Sequence, residues 1–276
     1  MVKLETKSAT IRELYKHYED NAPDWRRNHL GASLIGHPCS RYLWFAFRWA
    51  FPIEFEGRIH RLFDTGKREE LRILDEFKNL GMTVYEVDPK TGNQFFFSDF
   101  GGHFGGSPDA IVQGVKEAPK AWHVCEIKTM NKNQFDKLEK SCLQIARPQH
   151  YFQIQQYMAW TNLDRGFYVV VCKDDDRIYA ERVYVDPQLS GILFERARRI
   201  IFDKEIPDPQ GLEECRFCNA YKVCKGGKCV KGCRMCQFGI PGMDGTWQCN
   251  LAGGSTEIPD AVQRKGCDEY IARCGE

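Results

Sequence analysis

Two runs of the chain hold side chains that together could act on a phosphodiester. One is Gly105-Gly-Ser-Pro108-Asp109-Ala-Ile-Val112; the other is His123-Val-Cys-Glu126-Ile127-Lys128-Thr129. On an extended strand, residues i and i+2 share a face. Glu126 and Lys128 then project together while Ile127 turns into the core. Asp109 opens the preceding strand at a glycine-rich turn, where backbone and ligand can approach closely. Two carboxylates converging on one point suit a hard cation such as magnesium or manganese, which takes oxygen ligands and keeps several waters. Such a cation polarises a phosphodiester and makes water a better nucleophile. The Lys128 ammonium would orient that water or offset charge growing on the phosphate. Without Asp109, the Glu-x-Lys spacing would read as ordinary surface charge on a strand.

The elements that must hold these residues follow from periodicity. Residues 8–30 read as an amphipathic helix through Ile11, Leu14, Tyr15 and Tyr18. A loop at 33–39 leads into an aromatic-rich helix that reaches Phe47. Residues 58–80 read as a helix on Ile59, Leu62, Phe63, Leu71, Leu74 and Phe77, with Gly81 as its stop. The period then shortens to β-prone runs at 83–87, 94–98, 110–115 and 122–128, which predicts a meander of sheet strands. Helix returns at 147–161. A hairpin is expected from 167–173 and 178–185 across Asp174-Asp-Asp176, then a last helix over 187–204 with Ile192, Leu193, Ala197 and Ile200 inward.

The chain has 276 residues, 42% apolar, 13% aromatic and 28% charged. That suffices for a sizeable core in one or two domains and argues against long disorder. Against 38 Asp+Glu stand 39 Lys+Arg, a net charge of +1. A uniformly basic coat protein and an acidic tail are excluded, but a basic groove on a neutral body is not. No apolar run approaches the roughly twenty residues needed to span a bilayer. Met1-Val-Lys-Leu-Glu-Thr-Lys7 lacks the apolar stretch of an export signal. The expectation is a soluble cytoplasmic protein with no membrane partner.

Pro108-Asp109 followed by Glu126-Ile127-Lys128 resembles the signature of the PD-(D/E)XK nuclease superfamily, with Asp109, Glu126 and Lys128 on the motif's Asp, Glu and Lys. Two flanking features are similar to its RecB-like and phage-exonuclease branches. Upstream, Asp64-Thr-Gly66-Lys-Arg-Glu69-Glu70 places a carboxylate four residues after a glycine, and the resemblance makes Glu70 a further metal ligand beside Glu69. Downstream, His150-Tyr-Phe-Gln153-Ile-Gln-Gln-Tyr157 matches a Gln-x-x-x-Tyr signature. The i, i+4 spacing sets Gln153 and Tyr157 on one helix face, where an amide and a phenol can bond a phosphate or the metal's water. Either feature alone would be a polar helix face. The resemblance implies an α/β, restriction-endonuclease-like mixed central sheet flanked by helices. It also implies magnesium or manganese held by Glu70, Asp109, Glu126 and the Ile127 carbonyl. Asp109, Glu126 and Lys128 would be catalytic, with Gln153 and Tyr157 positioning substrate.

Of the thirteen cysteines, four lie before residue 215 (Cys39, Cys125, Cys142, Cys172) and nine from there on. In a reducing compartment, metal ligation explains that density better than disulfides do. Cys215-Arg-Phe-Cys218, followed by Cys224, leaves a four-coordinate site one ligand short. Cys229 would complete a local four-cysteine zinc site, and Cys39 a site closed across the chain. The second set resembles the iron–sulfur staple of AddB-type helicase–nucleases and of RecB-like nucleases from CRISPR adaptation. That resemblance implies a 4Fe-4S cluster on Cys39, Cys215, Cys218 and Cys224 closing a long loop. From Pro207 on, Pro, Gly and Cys dominate, and such a segment needs metal to hold it. Cys233-Arg-Met-Cys236 with Cys249 and Cys267 suits structural zinc, Cys229 or Cys274 being substitutes. Trp247 and Tyr270 are expected to pack over that metal. Cys125, Cys142 and Cys172 read as buried or incidental thiols. The division is a nuclease domain with its staple over 1–228 and a zinc-binding tail over 229–276.

The expected function is a metal-dependent DNA exonuclease acting on single-stranded or duplex ends in recombination, repair or replication, with phage or CRISPR-linked relatives by analogy. No Gly-x-x-x-x-Gly-Lys-Ser/Thr run appears, so unwinding would fall to a helicase or recombinase partner; an oligomer is compatible. DNA-facing charge must be local, and Arg41, Arg48, the Arg58/Arg61/Lys67/Arg68 group and Lys132/Lys137/Lys140 are its candidates. The alternatives are a non-catalytic nucleic-acid binder with structural metals, which has no use for Asp109, Glu126 and Lys128 together, and a redox sensor built on the cluster.

Overall fold

The computed structural model describes residues 8–274; Met1–Lys7, on which the export expectation rested, and residues 275–276 lie outside them. Helix α1 (Ala9–Asp20) starts at Ser8, whose hydroxyl accepts from the Ile11 N–H, and ends at Asn21. It is shorter than the expected 8–30, because Pro23 biases the residue before it away from helix. After β1 (Leu30–Gly31) come α2 (Ala32–Ile35), α3 (Ser40–Phe47) and the long α4 (Gly57–Asn79), which Gly81 follows at φ 79°. Then come β2 (Thr83–Tyr85), β3 (Phe97–Asp99), β4 (Phe104–Gly106), β5 (Ala110–Gln113) and β6 (Trp122–Met130). Helices α5 (Lys132–Glu139), α6 (Leu143–Ala146) and α7 (Pro148–Thr161) lead to the hairpin β7 (Arg165–Cys172) and β8 (Ile178–Tyr184), then to α8 (Pro187–Phe202). The tail holds α9 (Tyr221–Cys224), β9 (Gly239–Pro241), β10 (Trp247–Cys249), β11 (Thr256–Glu257) and α10 (Asp260–Gln263).

The fold is mixed α/β. Its central sheet runs β2-β5-β6-β7-β8, antiparallel except at β6–β7. That pair is parallel because α5, α6 and α7 carry the chain back across the sheet, as a parallel connection requires. The expected meander is corrected at 94–98: β3 pairs with β4, which also pairs with β1, in a separate three-stranded sheet. Gly101 and Gly102, at φ 64° and 103°, turn the chain between β3 and β4 and let the two fold on each other.

Two apolar clusters cover the two faces of the central sheet. One holds Ile73 and Leu74 of α4 against Ala110, Val112, Cys125, Ile127, Val169 and Val171. The larger packs Val124, Met130, Tyr168, Val170 and Cys172 under α7, α3 and α8. The cysteine-rich tail joins this second cluster through Met235, Trp247 and Ile258. Trp247 packs against Phe47, tilted, and His103, edge-on, at 5.5 and 5.9 Å between ring centres. Gly245, at φ 90°, lies so close to Gly101 that a side chain on either would overlap the other's backbone. Among the described residues, no helix is long and apolar enough to cross a membrane.

Candidate active site

Strand β6 carries the chemistry on the α7 side. Cys125 and Ile127 belong to the cluster under α4 and Val124 and Met130 to the other, so Glu126 and Lys128 share the face of Val124 and Met130, as their spacing predicts. The antiparallel register Ala110↔Cys125 sets Asp109 opposite Glu126. Asp109 Oδ2 accepts the Ile127 N–H at 2.7 Å. Helix α4 approaches from beyond: Gly66 lies against Thr129, and Glu70, one turn on, stands within electrostatic range of Asp109 and Lys128. Glu70, Asp109, Glu126 and Lys128 are thus electrostatic neighbours.

The electrostatics there are strained. Glu126 is 1% exposed; its Oε1 takes the Lys128 ammonium, while Oε2 is buried with no hydrogen-bond partner among the described residues. Burial and the neighbouring Asp109 raise the Glu126 pKa, with Lys128 opposing. Burial likewise raises Asp109, against the pull of Lys128 and of the Ile127 N–H. Glu70 is pushed up to about 7 by burial and by Asp109, with Lys128 and Lys67 opposing. Burial works against the charge on Lys128, but Glu126 and Asp109 outweigh it and hold the ammonium above the ordinary lysine range. Lys128 keeps 28% of its side chain exposed, so it is the member of the pair that reaches solvent.

Among the described residues, no three His, Cys, Asp or Glu side chains stand close enough to hold a metal ion in this arrangement. The set expected at Glu70, Asp109, Glu126 and the Ile127 carbonyl is brought into one neighbourhood without being drawn into coordination. The physical reason is visible: Lys128 has taken Glu126, and the Ile127 N–H has taken Asp109.

Gln153 and Tyr157 do share a face of α7, with the Gln153 amide donating to the Tyr157 hydroxyl at 3.2 Å. Both are buried, and Tyr157 is an electrostatic neighbour of Glu126, Lys128 and Asp109. They therefore stand behind the acidic group rather than open to solvent. Gln155 bridges instead to the end of β8, its amide donating to the Tyr184 carbonyl and accepting the Asp186 N–H.

Two residues escaped the sequence reading. Tyr168 on β7 stands in register with Glu126, and its hydroxyl bonds His150 Nδ1 at 2.6 Å. Burial, then the charge of Lys128, depresses His150 to about 3, so the imidazole is neutral. A parallel partner strand leaves no local spacing signal, which is why Tyr168 was not visible.

All thirteen cysteines are free thiols. Cys39 caps α3, its sulfur accepting the Tyr42 N–H. The thiols acting on Cys218 are Cys39, Cys215 and Cys224. Those acting on Cys233 are Cys267, Cys236 and Cys249. Cys229 contacts Cys274 and Tyr270. Tyr270 accordingly sits on the Cys229–Cys274 pair.

One DNA-facing candidate is corrected. Arg48 is 3% exposed and points inward, stacked on Trp44 and donating to the Ile200 and Ile201 carbonyls at the end of α8. Cations favour that helix terminus, where carbonyls lack partners. Arg41 donates to the Pro207 carbonyl.

No family model and no curated protein matches the chain. Among solved structures, that of SSO0001 is similar at TM-score 0.47 and 17% identity, over 79% of this chain and 98% of that one. LHK-Exo in complex with dAMP is similar at TM-score 0.45 and 17% identity, over 67% and 90% of the two chains. The alkaline exonuclease LHK-Exo from Laribacter hongkongensis is similar at TM-score 0.44 and 16% identity, over 68% and 89%.

Proposed function

We propose that this protein is a divalent-metal-dependent deoxyribonuclease of the PD-(D/E)XK type, with a restriction-endonuclease-like core, acting as an exonuclease at single-stranded or duplex DNA ends. The observation that carries the reading is Glu126 Oε2, a carboxylate oxygen buried with no partner among the described residues beside two further acids. A buried carboxylate oxygen without a hydrogen-bond partner is costly, and a non-catalytic binder would have no reason to bear it. The donor set fits magnesium or manganese: oxygen ligands from Glu70, Asp109, Glu126 and the Ile127 carbonyl, in a cluster whose mutual repulsion a cation would relieve.

A divalent cation bound there supplies Lewis acidity to the scissile phosphate and acidity to the attacking water. The chain does the rest. Lys128, whose side chain is partly exposed, would meet the phosphate and offset the charge that builds on it. The Ile127 N–H fixes Asp109 through Oδ2. Tyr157, held by Gln153, limits where the Glu126 and Lys128 side chains can lie.

Labelled DNA should be digested from its ends in magnesium or manganese and left intact in chelator, with activity restored on adding back the metal. Digestion that continues in chelator would remove the metal-dependent reading.

For the thiols we infer, from their spacing in the sequence, a 4Fe-4S cluster on Cys39, Cys215, Cys218 and Cys224 and zinc on Cys233, Cys236, Cys249 and Cys267. Protein purified without oxygen should be brown and contain both iron and zinc, and Cys39→Ser should lose the colour and iron but keep the zinc. A colourless parent with zinc alone would leave the cluster without support.

A further inference from the structure

Helix α1 lies along the N-terminal half of α4. Glu19 accepts the Gly57 N–H at 2.7 Å, and Gly57 has no side chain because the Tyr15 backbone fills that space. Clasped at that end, the two helices leave a cavity of about 600 Å³ between them, within the range of small-ligand pockets, roughly 300–1,000 Å³. Its walls are aromatic. Trp25 stacks on His60 at 5.7 Å and 29°, with Phe63 at 5.1 Å, and Tyr18 lines the opposite side. The Trp25 N–H has no hydrogen-bond partner among the described residues, and ring contacts with His60, Phe63 and Phe55 surround it. Phe63 packs beside Trp25 and edge-on to Phe55 and still leaves 39% of its surface exposed.

Charge around this cavity has a direction. Arg61 lies over Tyr18 at 5.9 Å, and Lys67 continues the His60–Phe63–Asp64 face one turn toward Glu70. Asp64 is the acid that lines the cavity itself. A carboxylate there disfavours a phosphate inside and accepts a hydrogen bond from an exocyclic amino group, while the arginine and lysine outside attract the backbone. By helix rise, Phe63 and Glu70 are about 10 Å apart along α4, a span that a short stretch of strand crosses.

We propose that the cleft between α1 and α4 is a subsite that stacks an unpaired nucleobase of the substrate strand, with Trp25, His60 and Phe63 as the platform and Tyr18 opposite. The proposal rests on the nuclease reading for its substrate but not for its test. Aromatic platforms hold bases by their faces and so tolerate sequence, which suits an enzyme that must pass every base of a strand.

The test is equilibrium binding in chelator, where no metal-dependent cleavage occurs. A labelled strand of deoxycytidines is compared with an abasic sugar–phosphate chain of equal length. The parent should bind the base-bearing strand about tenfold or more tightly than the abasic one. Phe63→Ala, conservative for an exposed helix position, and Tyr18→Ala should each bring the two affinities together, with melting temperature checked to show the fold persists. Equal binding of both strands by the parent, no binding at all, or an undiminished preference in both variants would overturn the subsite. A protein that shows the preference but never cleaves in magnesium or manganese would keep the subsite and lose the nuclease reading; cleavage without the preference would do the reverse.

Discussion

Glu126→Gln is expected to reduce DNA cleavage by about a thousandfold or more while leaving the protein at least as stable as the parent. The two effects separate because the carboxylate is buried. Glu126 is 1% exposed and one of its oxygens has no partner, so its ionised form costs the fold free energy that Lys128, bonded to the other oxygen, offsets in part. Glutamine keeps the shape and removes the charge. Lys128→Ala should lose a comparable amount of activity for the other reason, the missing ammonium at the phosphate. It should also destabilise, by about 1–3 kcal/mol, since it leaves Glu126 without its counter-charge; the lysine's partial exposure keeps that figure below that of a fully buried pair. The double variant should recover the stability and none of the activity, a coupling that a thermodynamic cycle over the four proteins measures directly. Four proteins that digest end-labelled DNA equally well would defeat the catalytic assignment. A Glu126→Gln protein that melts well below the parent would show that the carboxylate is structural.

The parts of this site that the sequence reveals are those set by local spacing. Glu126 and Lys128 share a face because strands alternate, and Gln153 meets Tyr157 because helices repeat in under four residues. The pairing of Asp109 with Glu126 depends on register between two strands, which a glycine-rich turn suggests without fixing. Tyr168 enters through a parallel neighbour and left no trace. Burial of charge was the other blind spot. Arg48 reads as a surface cation until the C-terminal carbonyls of α8 appear beside it, and α7 buries Gln153, Gln155 and Gln156 together, which their polarity does not suggest. Similarly, 94–98 has the alternation of a strand, but nothing in it says which sheet it joins. For the thiols the choice that spacing leaves open stays open: Cys39, remote in sequence, is an electrostatic neighbour of Cys218, and Cys229 contacts Cys274.

The same blind spot hides the residue on which the tail depends most. Arg234→Ala should lower stability by about 3–5 kcal/mol, although arginine between two cysteines in a glycine-rich segment reads as solvent-exposed. The side chain is 2% exposed. Its guanidinium lies 3.6 Å from the Trp49 ring centre and 5.0 Å from that of Trp247, a cation held between an aromatic of the main body and one of the tail. It donates to Gln263 Oε1 at 2.9 Å, to the Asn28 carbonyl at 3.1 Å and to the Phe47 carbonyl at 3.4 Å, so one group ties together α10, the segment before β1 and the end of α3. Alanine would leave those three acceptors without their donor and open a void between the indoles. Arg234→Met separates the contributions: it refills most of the void, so its loss should be clearly smaller if packing dominates and nearly as large if the hydrogen bonds do. Because Arg234 sits within the turn that presents Cys233 and Cys236, both variants should also expose the tail to protease earlier in a urea series than the parent. An alanine variant whose urea midpoint and cleavage pattern match the parent's would mean that the tail is held by Trp247 and the glycine contact alone, and that the buried guanidinium merely occupies space between them.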